Sequence, residues 1–191
     1  MAAILAKHHM LWRPLTQIRR DIPKKWLYWL RDVDSLTEQL KQLSQGQFAV
    51  ELVSHCHARP LRVERSALAL GECDRALVRQ VRLLCHGKAT VFARTIIPEA
   101  SLSGKYRLLA RLGTRPLGEL LFSDRSMWRG EVEVAEFPVD HAMFRNLDDK
   151  SMGGVTSVWG RRSLFYLAEK PLLVSEFFLP SLLDFDVKAM R

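Results

Sequence analysis

The strongest constraint on how this chain folds is a pair of strand–turn–strand segments. Residues 77–85 and 89–97 are rich in β-branched and large apolar side chains, and His86-Gly87-Lys88 separates them. Two such runs around a short glycine-containing turn predict a β-hairpin, which Pro98 stops. Residues 163–168 and 172–179 repeat the pattern around Glu169-Lys170-Pro171. Between and before these hairpins the apolar spacing becomes helical. Pro23 precedes Trp26, Leu27, Trp29 and Leu30, and a proline is tolerated in the first turn of a helix. Ser35-x-x-Glu38 has the pattern of a capping box and opens a helix carrying Leu36, Leu40 and Leu43, which Gly46 ends. Residues 105–112 read as a helix stopped by Gly113, and Pro116 starts a short helix through Phe122. Residues 48–54 and 130–136 read as strands. The polar run 138–157, ending at Gly153-Gly154, reads as a mobile loop. Hairpins combined with helices predict an α+β chain: a single antiparallel β-sheet with helices packed on one side.

Length and composition narrow the function classes. At 191 residues the chain suits one domain, and no apolar run reaches the roughly 20 residues that span a bilayer. Lys plus Arg is 29 and Asp plus Glu is 21, a formal charge of +8 that favours an anionic partner without naming it. Three cysteines fit a reducing compartment better than a disulfide framework. The opening residues MAAILAKHHML are too short and too broken by Lys7, His8 and His9 for a secretory core. A cytoplasmic protein with a solvated N-terminal tail is expected.

Two charges interrupt apolar strand faces. Arg79 shares the face of Leu77, Val81, Leu83 and Cys85, while Arg82 falls on the other face with Gln80. Glu176 lies between Val174 and Phe178, and the opposite face of that strand, with Leu173 and Phe177, is equally apolar. Each charge needs a partner, because a buried unpaired charge costs several kcal/mol. Either Arg79 and Glu176 pair with each other, or they line a pocket for an anionic, hydroxylated ligand. Arg94, between Phe92 and Ile96, is a third inward candidate.

Other motifs carry less. His55-Cys56-His57 puts two imidazoles on one strand face, but a zinc site needs about four ligands and no second cluster exists. Cys85 and His86 are adjacent on a strand and face opposite ways, so Cys85 reads as a packed thiol. Trp159-Gly160-Arg161-Arg162 reads as a structural loop. The arginines are dispersed, which argues against a nucleic-acid face.

Taken in order, several pieces resemble the bacterial chorismate pyruvate-lyase family. They are Trp29-Leu30 with Asp34-Ser35; Val78-Arg79 leading to Leu83-Leu84; Arg94-Thr95-Ile96-Ile97-Pro98; Leu102-Ser103-Gly104; Leu112-Gly113; Pro116-Leu117-Gly118 with Leu121-Phe122; Trp159-Gly160-Arg161-Arg162-Ser163; and Lys170-Pro171-Leu172-Leu173 with Glu176 and Phe178-Leu179-Pro180. They cover roughly residues 20–180. The resemblance implies a domain over 21–182, an N-terminal extension over 1–20, a tail over 183–191 and an enclosed ligand pocket. It implies a monomer that converts chorismate to 4-hydroxybenzoate and pyruvate, the first committed step of ubiquinone biosynthesis. No metal, organic cofactor, nucleic acid or membrane insertion is implied. Arg79 matches the arginine that binds the ring carboxylate, and Leu117 a residue whose backbone holds the ligand. Glu176 matches the glutamate at the hydroxyl end, and Leu36 stands where another member has Met. On this scheme Glu176, buried and partly protonated, hydrogen-bonds the hydroxyl or gives a proton to the departing group, and Arg94 holds the enolpyruvyl carboxylate. The alternative is a non-catalytic domain of the same fold that senses a small aromatic acid, as in some bacterial transcription regulators.

Overall fold

The structure, a computed structural model, describes residues 11–31, 34–145, 147 and 152–185. Eight strands form one antiparallel sheet: β1 (Arg13–Pro14), β2 (Phe48–Ala58), β3 (Ala76–Cys85), β4 (Lys88–Pro98), β5 (Met127–Arg129), β6 (Glu133–Pro138), β7 (Ser157–Leu167) and β8 (Lys170–Phe178). Their order is β1-β6-β7-β8-β4-β3-β2, with β5 also pairing β7. The expected α+β architecture is the one observed, and the sheet does not close on itself.

The two hairpins, β3–β4 and β7–β8, form its centre. Both turn in two residues of left-handed backbone: His86 and Gly87 at φ 49° and 74°, and Ala168 and Glu169 at φ 46° and 67°. Positive φ at both central positions matches the twist of the flanking strands. The second turn thus lies just before the expected one, and Lys170 and Pro171 belong to β8. Strand β7 starts at Ser157, so Trp159-Gly160-Arg161-Arg162 is sheet and not the loop that the sequence suggested.

The helices that accompany the sheet among the described residues include α1 (Leu15–Ile18), α2 (Lys24–Arg31), α3 (Leu36–Leu43), α4 (Arg62–Ala67) and α5 (Leu117–Ser123). Ser35 caps α3 by accepting the Glu38 N–H at 3.4 Å. Residues Gly104–Arg111 wind as a 3₁₀ helix; its buried Tyr106 and Leu109, with Leu112 beyond, recur every three residues, the period of that helix. Helices α2, α3 and α5 and this segment pack on the sheet face of Leu77, Val81, Leu83, Val174 and Phe178. The short α4 and the Ala142–Phe144 turn cover the opposite face, around Phe92, Ile96 and Phe177.

Residues 12–14 are more integrated than expected. Trp12 packs on Phe137 and Phe177 at 5.2 and 6.0 Å, the Arg162 guanidinium lies 4.8 Å over its ring, and β1 pairs with β6. From residue 11 onward, the segment read as an extension therefore joins the sheet. Within 138–157, Met143, Phe144 and Met152 are buried and anchor the expected loop to the sheet, while residues 153–156 are exposed. His8, His9 and residues 186–191 lie outside the described residues.

Candidate active site

The sheet register assembles the site. Residues directly opposite one another on antiparallel strands share a face. Arg79 on β3 stands opposite Thr95 on β4, which stands opposite Val174 on β8, which stands opposite Ser163 on β7. The adjacent row runs Val81, Ala93, Glu176 and Arg161. This floor carries charge at its two sides and small or apolar side chains between. Leu36 and Thr37 of α3 and Leu117, Gly118 and Leu121 of α5 form the roof. Gly118 is required there: a Cβ would stand 2.7 Å from Thr37 Oγ1, so a side chain would push α3 and α5 apart. The cavity between floor and roof opens where the exposed Asp34 and Phe122 and the half-buried Arg129 line it.

Arg79 is 2% exposed. Its Nη2 donates to the carbonyls of Gly113 and Arg115 at 3.0 and 2.8 Å. Its Nε is buried without a hydrogen-bond partner, and no ion pair joins it to a carboxylate among the described residues. Burial pulls its pKa below the usual arginine range, down to about 10. A guanidinium held this way lacks the planar, two-oxygen acceptor that its fork matches.

Glu176 is not that acceptor. Arg161 Nε donates to Glu176 Oε2 at 2.6 Å, and Arg161 Nη1 donates to the Trp29 carbonyl at 2.8 Å. The Arg161 side chain is 1% exposed and lies 5.6 Å over the Phe178 ring, while Glu176 retains 17% exposure toward the cavity. The reading in which Arg79 and Glu176 neutralise each other is therefore excluded. The partner that the burial of Glu176 demanded is a second arginine. Arg161 escaped the sequence reading. It was legible from strand parity, since it stands two and four residues before Ser163 and Phe165, which face the same side.

Arg94 is a correction. It stands opposite Gln80, on the other face of the sheet, where Nε and Nη2 donate to Glu64 of α4 at 2.6 and 3.1 Å. It takes no part in this cavity. Apolar neighbours misled because both faces of β4 are covered. Leu36 and Leu117 do reach the cavity, each as the first residue of a helix, where the backbone N–H has no acceptor within its own helix.

His55 stands opposite Arg79 on β2, after a register shift between Leu52 and Ser54. Its Nε2 is buried without a partner, and burial first, then the charge of Arg79, lowers its pKa. His57 Nδ1 meets Glu99 at 3.1 Å. Among the described residues, no group of three or more His, Cys, Asp or Glu side chains gathers as a metal site. Cys85 is buried, which pushes its thiol pKa up, and Sγ contacts the Leu40 carbonyl at 3.7 Å. No helix among the described residues is long and apolar enough to cross a membrane.

Comparison with known proteins adds an independent line. The family model described as chorismate lyase matches residues 6–188. A protein of Psychromonas ingrahamii named "Probable chorismate pyruvate-lyase" is 43% identical over 158 residues, covering 81% of this chain and 82% of that one. A protein of the same name from Methylococcus capsulatus is 41% identical over 156 residues, covering 82% and 95%. Among solved structures, the effector-binding domain of the Bacillus subtilis trehalose repressor matches with TM-score 0.52 at 11% identity, over 68% of this chain and 89% of that domain. The effector domain of PhnF from Mycobacterium smegmatis matches with TM-score 0.52 at 14% identity, over 78% and 91%. At these identities the two domains share the fold and nothing more with this chain.

Proposed function

The chain belongs to the chorismate lyase family, and on that premise we propose that it converts chorismate to 4-hydroxybenzoate and pyruvate, the first committed step toward ubiquinone. One observation carries the reading: a buried guanidinium, Arg79, with an unpartnered Nε at the end of a cavity otherwise floored by Val81, Ala93 and Val174. A ring carboxylate supplies the acceptor that Arg79 lacks. The backbone N–H groups of Leu36 and Leu117 add donors whose function is indifferent to the side chain, which accounts for Leu at position 36 where a relative has Met. At the other end, Glu176 accepts the hydrogen bond of the ring hydroxyl, and Arg161 holds that carboxylate in place.

The chemistry follows from these contacts. The hydroxyl-bearing ring carbon loses its hydrogen, and the electron pair of that bond completes the aromatic ring. The neighbouring ether C–O bond breaks, its electrons leave on the enolpyruvyl oxygen, and the methylene carbon takes up a proton to give pyruvate. Aromatisation makes the reaction favourable, so the protein contributes orientation and charge stabilisation. We take the working unit to be one cytoplasmic, monomeric domain, 21–182 together with β1, that uses no metal or organic cofactor. The product keeps the carboxylate and the hydroxyl that bind, so its release is slow.

The test is incubation with chorismate while 4-hydroxybenzoate and pyruvate are assayed together. The wild type forms both in equal amounts. Arg79→Ala lowers kcat/KM by about 10²–10³-fold, as removing one partner of a buried charged contact does. Glu176→Gln lowers kcat by about 10²-fold. Tight binding of 4-hydroxybenzoate with no turnover of chorismate would instead identify an effector-binding domain.

A further inference from the structure

Chorismate carries two carboxylates, and the site as described accounts for one. With Arg94 on the far face, three arginines line the cavity: Arg79, Arg161 and Arg129. Arg79 stands at the ring-carboxylate end. Arg161 is enclosed, with Nε on Glu176 and Nη1 on the Trp29 carbonyl. Arg129 differs from both. It lies on β5, opposite Phe165 of β7, at the mouth beside Phe122. Its Nε donates to Ser163 Oγ at 3.0 Å, and its guanidinium lies 5.1 Å over the Phe165 ring. Both contacts hold the guanidinium against β7, half-buried at the cavity wall. Ser163 ends the row that begins with Arg79, three strands away, and Arg161 and Glu176 lie in the adjoining row. Arg79, Glu176 and Arg129 thus mark three corners of the floor.

We infer that Arg129 is a substrate-binding residue that receives the ether-linked carboxylate, and so distinguishes substrate from product. This rests on the proposed lyase reading. With the ring carboxylate on Arg79 and Arg161 engaged by Glu176, Arg129 is the cavity-lining arginine that the carboxylate of the neighbouring ether substituent would meet. The product has no second carboxylate, so this contact exists only before the reaction. It favours entry of substrate over return of product into a site that otherwise holds product well. Asp34 also lines the cavity.

The experiment compares two ligands by calorimetry on the whole chain: 4-hydroxybenzoate, and 3-(carboxymethoxy)-4-hydroxybenzoate, which adds an ether-linked carboxylate at the meta position. In Arg129→Gln, affinity for the second falls about 10- to 100-fold, the range of a charge-assisted hydrogen bond. Affinity for 4-hydroxybenzoate stays within about 3-fold in the same variant, a range well below that of a lost charged contact. Arg129→Lys keeps part of the lost affinity, because the charge remains and the fork does not. With chorismate, Arg129→Gln raises KM more than it lowers kcat. An equal loss for both ligands, or no loss for either, overturns the assignment. A wild type that prefers the dicarboxylate but does not turn over chorismate would retain Arg129 as a carboxylate site while rejecting the lyase reading.

Discussion

Arg79 has five N–H donors, and the protein gives acceptors to Nη2 but none to the buried Nε. Elsewhere the same chain matches buried arginines with carboxylates: Arg161 with Glu176, Arg94 with Glu64, Arg162 with Glu133. On the proposed function, that contrast separates Arg79, as a binding group, from Arg94, as a structural one. The roles separate experimentally. Glu64→Gln keeps a side chain that can still accept the Leu61 N–H but leaves Arg94 buried without its counter-charge, so urea unfolding shows a loss of about 3–5 kcal/mol. Because this pair lies across the sheet from the cavity, affinity for 4-hydroxybenzoate, measured below the unfolding transition, is unchanged. A selective loss of affinity with stability intact would return Arg94 to the site.

At the level of elements, strand parity was the informative signal. It put Arg79 inward on β3, and on β8, where both faces are apolar, it expected Glu176 to be buried whichever face was covered; both side chains line the cavity. Parity failed where a second layer intervened. Both faces of β4 are covered, so Phe92 and Ile96 gave Arg94 an apolar setting without saying which face it was. Pairing Arg94 opposite the outward Gln80 would have placed it. On β2 the register shift after Leu52 reverses the alternation and brings His55 opposite Arg79, which no propensity announces. The approach of α3 to α5 was equally hidden, since Gly118 is ordinary in sequence and only the packed structure shows Thr37 Oγ1 where a Cβ would go. Gly118→Ala should therefore lower thermal stability by about 1–3 kcal/mol and weaken 4-hydroxybenzoate binding by displacing the roof. Adding Thr37→Ala, which removes the opposing oxygen, should restore most of both. No change in either quantity would mean that the two helices yield freely.

For the whole molecule, one twisted antiparallel sheet with cover on both faces explains why its central strands read as nearly continuous apolar runs. The charges that survive inside are few and paired, except at the cavity. The excess of basic residues, 29 against 21, biases encounter toward anions but places no ligand; the cavity does that, through side chains from six strands and two helices far apart in sequence. The most direct measurement is calorimetric titration of 4-hydroxybenzoate and its methyl ester into the wild type and Arg79→Met. With the guanidinium present, the acid should bind at least about 100-fold more tightly than the ester, as loss of a buried charge-assisted contact implies. In Arg79→Met the two ligands should bind equally weakly. An ester that binds the wild type as well as the acid does, or an Arg79→Met protein that still prefers the acid, would contradict the account.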